Sequence, residues 1–366
     1  MRNKQGKRNP RRLLVTGGAG FIGTNFVQDW SRRYPNDSIV ILDALTHPGS
    51  SQNLDDLETD ATFRFVQGDI CDRLLVDALL KQVAIDTVVH LAAASQLDGS
   101  TVAPDALVRT NVVGTLTLVE AFRQHWLRQQ QPDFYRFLQV STDHVFGSFT
   151  TDAPPVHEAT PYAPRSPYAA SKAGGDHLVR AYFYSYGLPT LVTHSSHIYG
   201  PYDLPHSLIP RTCVNILLGK PLPITGDVQQ MQAWLYVKDY CQGLDRVIHH
   251  GKPGETYSMG GDSTVKNLEL VEMLCTLMDE LAPDLPIRPS RDLITVESDH
   301  DPDDRGSVTD TSKIKRQLGW EPQVTLAEGL RLTAEWYLTN RDWWKPLLKP
   351  DSAPSPSKSV SRSSYR

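Results

Sequence analysis

The sequence predicts an α/β protein: a doubly wound parallel sheet followed by a smaller C-terminal α/β cap. Three observations carry that expectation. Six short apolar runs, RLLVTG, SIVILD, RFVQGD, TVVHLA, RFLQVST and TLVTHSS, are separated by helical periodicity near residues 20–33, 73–82, 104–130 and 166–187. The runs are almost continuously apolar, as strands are when helices cover both faces of their sheet. A glycine-rich turn, TGGAGFIG, directly follows the first run and opens the first helical stretch.

Beyond about residue 195 the alternation breaks into IYGPYDLP, GKPLPITG and GKPGETYSMGG, with short helices at 266–280 and 325–339. Such a segment suits a cap better than further strands of the sheet. The expected organisation is a basic flexible tail at 1–11, a Rossmann domain at 12–195, a mainly substrate-binding cap at 196–345 and a disordered, Ser- and Pro-rich tail at 346–366. An open sheet of this kind places its ligands in the cleft between the two parts.

The composition, 40% hydrophobic and 22% charged over 366 residues, is globular. A formal charge of -5 offers no general attraction to nucleic acid or to an anionic membrane, so a small-molecule substrate is expected. No apolar run approaches the ~20 residues that span a bilayer, and the opening MRNKQGKRNPRR lacks the apolar stretch of a signal peptide, which predicts a cytoplasmic protein. Cys71, Cys213, Cys241 and Cys275 have neither CxxC nor zinc-finger spacing; they are expected to be reduced core residues, and no metal site is expected.

In TGGAGFIG, Gly17, Gly20 and Gly23 permit a tight turn and close approach of backbone N–H groups to a pyrophosphate, with Phe21 and Ile22 beginning the helix. Asp43 ends the next strand about 20 residues on, where a carboxylate accepts ribose hydroxyls. It would repel a 2′-phosphate, and Ala44 rather than an Arg follows it, so NAD is expected over NADP. Asp69 and Ile70 after the third strand, and Leu91, Ala92 and Ala93 after the fourth, complete the expected cofactor rim. Asp69 has an equal alternative as the cap of the following helix.

Tyr168 and Lys172 in SPYAASK are four residues apart on one helical face. A neighbouring ammonium lowers a phenol's pKa from about 10, so that the phenolate can take a proton from a carbinol as hydride leaves. Thr142, after the fifth strand, can hydrogen-bond the same hydroxyl.

With these motifs the chain resembles the extended short-chain dehydrogenase/reductases, and within them the dTDP-glucose 4,6-dehydratase family of nucleotide-sugar enzymes. The likeness runs over roughly 12–340 through TGGAGFIG, GDICD, HLAA, TNVVGT, STDHVFG, YAPRSPYAASKAGGDHLVRAY, YGPY, LIP, WLYV and GETYSMGG. The resemblance implies tightly held NAD, oxidation at carbon 4 of a hexose, loss of water across carbons 5 and 6, and hydride return to carbon 6. It also implies a homodimer paired through the helices near 104–130 and 166–187.

The likeness fails on the substrate side. An Asp-Glu pair follows the Ser-Thr in that family, the Glu as base and the Asp as acid; here it is Asp143-His144. A neighbouring imidazolium would favour an ionised Asp143, where a second carboxylate would hold one of the pair protonated. His144 either acts as the base or packs at the strand end. The family's Asn and Arg grip on the diphosphate is matched by His197, Gln232 and Ser258, and its Glu beside the alanines by Ala94, with Gln96 and Gly99 nearby. His194, His206, Arg211 and Arg305 can restore positive charge. Two alternatives stay open: an epimerase or oxidoreductase on another sugar-like substrate, supported by STDHVF, which also looks like a stretch of keto-sugar reductases, and a catalytically silent NAD-binding module.

Overall fold

Six strands stand where the apolar runs predict them: β1 (Arg12–Thr16), β2 (Ser38–Asp43), β3 (Phe63–Gln67), β4 (Thr87–His90), β5 (Arg136–Val140) and β6 (Thr190–Ser195). They are followed by β7 (His197–Tyr199), β8 (Leu222–Ile224), β9 (Met231–Tyr236), β10 (Thr256–Met259), β11 (Thr264–Lys266) and β12 (Ile294–Val296). The computed structural model describes residues 10–46, 51–54, 62–95, 104–147, 154–224, 231–296 and 308–348. Gln96, Gly99 and Arg305 therefore lie outside the described residues, as do 1–9 and 349–366 of the two expected tails.

The main sheet has seven parallel strands in the order β3-β2-β1-β4-β5-β6-β10. β1 pairs with β2 on one side (Val15 with Ile41) and with β4 on the other (Val15 with Val89), so the strand order reverses there and a crevice opens beyond the carboxyl ends of β1 and β4.

The flanking helices explain themselves locally. Phe21–Arg33 buries Phe26, Val27 and Trp30 and ends on Arg32 and Arg33, which favour a helix C-terminus. Arg73–Gln82 is capped by Asp72, whose carboxylate accepts from the Leu75 amide at 3.1 Å. This corrects the alternative reading of Asp69 as that cap. Pro167–Tyr186 begins with a Ser166 cap and a Pro in its first turn and stops at Gly187, φ +67°. The stretch expected as one helix over 104–130 is instead Pro104–Val108 and Thr115–Arg128 joined by a π-turn, Arg109–Gly114. The turn lies in a tight place: a Cβ on Gly114 would come within 2.6 Å of the Ile70 side chain, and one on Gly175 within 2.7 Å of the Asn111 carbonyl.

Three boundaries need correction. The chain beyond 195 does rejoin the sheet: β10 pairs with β6, and the helix Val237–His250 packs on Phe21–Arg33, with His249 stacked on Trp30 at 5.2 Å. Val237, Tyr240, Leu244 and Trp320 share one core with Leu13 and Val15 of β1. Apolar burial against the first helix pulls this segment back after the chain has left the sheet. Arg11, assigned to the flexible tail, is docked, its guanidinium donating to Thr87 Oγ1 and the Phe134 carbonyl at 2.8 and 3.1 Å. Likewise Lys345–Leu348 forms a short turn rather than the start of the tail.

The remaining cap has its own core. Helices Leu208–Leu218, Asn267–Leu281 and Leu326–Thr339 bury Ile209, Leu270, Leu274 and Tyr337 with Trp234 of β9, and β9 pairs with both β7 and β11.

Candidate active site

The glycine turn sits at the crevice. Gly17 has φ +70°, and a Cβ there would lie 2.6 Å from the Ala92 amide nitrogen, so only glycine fits. A Cβ on Gly23 would lie 2.2 Å from the Gly17 carbonyl oxygen, so the helix can start this close to the turn only with glycine. Gly20, the N-cap, offers no side-chain hydrogen bond, and the first helical turn, with Phe21 and Ile22 half-buried, carries no acidic residue. The helix N–H groups are thus left to an anion, which is what a dinucleotide's pyrophosphate requires.

Asp43 leans over the turn: Oδ2 accepts from the Ala19 amide at 3.0 Å and Oδ1 from Leu45 at 2.9 Å. Leu91, Ala92 and Ala93 leave β4 beside it, Leu91 N donating to the Thr16 carbonyl at 3.0 Å. Ile70 is buried, whereas Asp69 accepts from the Cys71 amide at 2.8 Å and faces Arg109 at 3.7 Å near the surface.

Tyr168 and Lys172 do lie on one helix beside the end of β5. The buried Lys172 ammonium donates to the Val140 carbonyl at 2.7 Å rather than to the phenol. Burial, with the carboxylates of Asp143 and Asp176, pushes Tyr168 up to about 12. With the ammonium on the backbone carbonyl, burial and the two carboxylates outweigh any lowering of the phenol by Lys172. Burial also pulls Lys172 down, and Asp176, one turn further on, opposes that.

Thr142 caps the short turn Asp143–Phe146, accepting from the His144 amide at 3.3 Å and donating to Asp143 Oδ1 at 3.3 Å. The His144 ring meets Tyr168 at 6.3 Å and His197 at 5.4 Å, and His197 meets Trp234 at 5.4 Å. Residues 142–144, Tyr168 and His197 are thus brought together. Gln232, buried on β9, lies two residues before Trp234 and so on the same face of that strand.

Ser258, matched to the diphosphate grip, and His194, expected to restore positive charge, are not available for it. Ser258 is wholly buried in β10 opposite His194. His194 is itself fully buried, 2.7 Å from the Tyr162 hydroxyl and 3.4 Å from Asp176. Arg211 is on the cap helix Leu208–Leu218, donating to the Pro223 carbonyl at 3.3 Å. Ala94 is clamped by Asn111, its N–H donating to Oδ1 at 2.8 Å and its carbonyl accepting from Nδ2 at 2.9 Å.

Sequence reasoning missed the residues that hold this site. Asn111 also donates to Ser171 Oγ at 2.9 Å, and Ser171 donates to the Tyr168 carbonyl at 2.7 Å, tying the β4 exit to the helix of Tyr168. Asp176 accepts from Ser141 Oγ at 2.6 Å and from the Tyr162 hydroxyl at 3.0 Å. Burial resists its charge, but His194, Lys172 and Ser141 hold its carboxyl below the usual range. One signal was present: Asp176 continues the four-residue spacing of Tyr168 and Lys172. Asn111 sits in TNVVGT, a motif with no visible chemistry of its own.

The model of the GDP-mannose 4,6-dehydratase family matches residues 14–333. The dTDP-glucose 4,6-dehydratase of Xanthomonas campestris pv. campestris (strain B100) is 46% identical over 337 residues, covering 92% of this chain and 95% of its own. The crystal structure of the Bacillus anthracis dTDP-glucose 4,6-dehydratase in complex with NAD superposes with a TM-score of 0.82 at 37% identity, covering 92% of this chain and 99% of the other. That of the Streptomyces venezuelae enzyme, also with NAD bound, gives 0.81 at 40% identity over 92% and 99%.

Proposed function

Because the chain belongs to the GDP-mannose 4,6-dehydratase family, we propose that it is an NAD-dependent nucleotide-sugar 4,6-dehydratase with dTDP-glucose as substrate. The observation that carries the reading is the position of Tyr168 and Lys172 beside Thr142 at the carboxyl end of β5, on the same edge of the sheet as the open helix end at Gly20.

NAD, when bound, takes a hydride from carbon 4 of the hexose and returns it to carbon 6. The residues that would hold it are Gly17, Gly20, Phe21, Ile22 and Gly23 at the pyrophosphate, Asp43 at the ribose, and Asp69, Ile70, Leu91, Ala92 and Ala93 along the rim. Tyr168 takes the proton of the carbon-4 hydroxyl, for which the phenol must first be deprotonated, with Thr142 hydrogen-bonded to the same oxygen and Lys172 supplying positive charge from beneath. The new ketone acidifies carbon 5, and neutral His144 takes that proton. The carbon-6 hydroxyl leaves as water with a proton from Asp143, for which the carboxyl must first be protonated, and as hydride returns to carbon 6 the protonated His144 gives a proton back to carbon 5. His197 and Gln232 line the substrate side, with Arg305 as a further contact to the diphosphate.

We further propose a homodimer. Val113 and Leu116 beside one long helix and Tyr184 and Tyr186 on the other remain exposed, Tyr184 by 78%, and this pair of packed helices would cover them in a partner. A cytoplasmic setting fits four free cysteines, three of them buried.

Incubation with dTDP-glucose in deuterated water tests the reaction. The expected product is the 4-keto-6-deoxy sugar carrying deuterium at carbon 5. A 4-epimer, or net accumulation of reduced cofactor, would replace this reading by the epimerase or oxidoreductase alternative.

A further inference from the structure

The glycine turn is tied to a part of the chain more than 300 residues away. Asn53 is buried, and its Nδ2 donates to the carbonyl of Ala19, inside the turn, at 2.8 Å. Its Oδ1 accepts from the indole Nε1 of Trp343, in the short C-terminal helix Arg341–Trp344, at 2.7 Å. The Ala19 amide is held from the other side by Asp43.

The same C-terminal end reaches the turn by a second route. Trp343 packs edge-on against Trp336 at 5.0 Å and against Tyr202 at 5.8 Å. The Tyr202 hydroxyl accepts from Gln28, on the helix that starts at the turn, at 3.2 Å. Tyr202 holds this place with φ +67°, a backbone conformation that a bulky residue adopts only when its surroundings impose it.

We infer that Trp343 and Asn53 form a clasp that holds the glycine turn in its anion-binding shape and thereby slows release of the dinucleotide. The inference rests on the NAD reading above. The amide of Asn53 suits the task because it uses a donor and an acceptor at once, so neither end of the link can shift without leaving a buried polar group unpaired. Trp343 and Asn53 act through the turn and need not touch the cofactor, which makes them positioning residues. Coupling of this kind is reciprocal: a dinucleotide that favours the closed turn must also favour the docked C-terminal helix.

The test uses the full chain loaded with NAD. Trp343→Phe keeps the aromatic packing and removes only the donor; Asn53→Asp keeps the acceptor for Trp343 but sets a carboxylate against the Ala19 carbonyl. NAD release, followed by stopped-flow displacement, is expected to quicken about threefold to tenfold in the first variant and more in the second. Thermal unfolding of the NAD-free forms checks that the fold persists. In wild type, removing NAD is expected to speed amide exchange over residues 338–344. Wild-type release rates in both folded variants, or exchange at 338–344 indifferent to NAD, would overturn the clasp. A wild-type chain that binds no NAD would instead overturn the NAD reading on which it stands.

Discussion

His90 Nδ1 lies 2.8 Å from Thr16 Oγ1, in the strand that feeds the glycine turn, and together with the contact at its other nitrogen this fixes the tautomer of the neutral ring. The other nitrogen, Nε2, is 2.9 Å from Thr115 Oγ1, whose single proton is already donated to the Asn111 carbonyl at 2.7 Å. Thr115 must therefore accept from Nε2–H, and Thr16 must donate to Nδ1. A neutral histidine thus closes a wire from the cofactor strand to Asn111, the residue that clamps Ala94 and Ser171.

Burial, and then the charge of Lys172, push His90 down to about 3. An unfolded histidine titrates near 6.5, so below that value the unfolded chain binds a proton that the native ring refuses. The stability held by the neutral ring is complete above about pH 6.5 and is lost progressively as pH falls toward about 3. Urea unfolding between pH 7 and 4 should show a slope reaching about 1.4 kcal/mol per pH unit from this group. His90→Gln should flatten that part of the profile; an unchanged slope would refute the assignment.

Asp176→Asn leaves Lys172 without its buried counter-charge and gives Ser141 and Tyr162 a poorer acceptor. Breaking a buried charge arrangement of this kind costs about 3–5 kcal/mol. The carboxyl is held low, so its contribution is present above about pH 4 and disappears on acidification. The difference in denaturation midpoint between wild type and variant should be full at pH 7 and shrink progressively as pH falls below about 4.

Gly23→Ala places a methyl 2.2 Å from the Gly17 carbonyl oxygen, which backbone atoms cannot relieve locally. The turn must open, and NAD affinity is expected to fall at least tenfold by calorimetry. Affinity within twofold of wild type would mean that the turn is not the pyrophosphate site.

Tyr168→Phe and His144→Gln separate the two proton transfers. The first should lower every step after substrate binding by about 10²–10⁴. The second should leave oxidation at carbon 4 detectable as a rise in reduced-cofactor absorbance, while deuterium uptake at carbon 5 stops. Normal product formation by His144→Gln would remove His144 from the base role.

The sequence by itself determined the parallel sheet, the glycine turn, Asp43 and the Tyr168–Lys172 pair, because each depends on local spacing: apolar runs of strand length, a turn that only glycine allows, and two side chains one helical turn apart. It also set a glycine turn that keeps the family's pattern against a substrate side that departs from it at His144 and His197. Only the tertiary structure decided what surrounds these residues. β10 and the helix Val237–His250 return to the first core through apolar faces that find their partner more than 200 residues back. The Lys172 ammonium lies on the Val140 carbonyl, and Ser258 and His194 are sealed inside the sheet, because strand register, which no local pattern encodes, brings those groups together. Electrostatics follow the same division. Residue types set which groups can ionise, and burial together with the charged neighbours decides in which direction Tyr168, Lys172 and Asp176 are pushed.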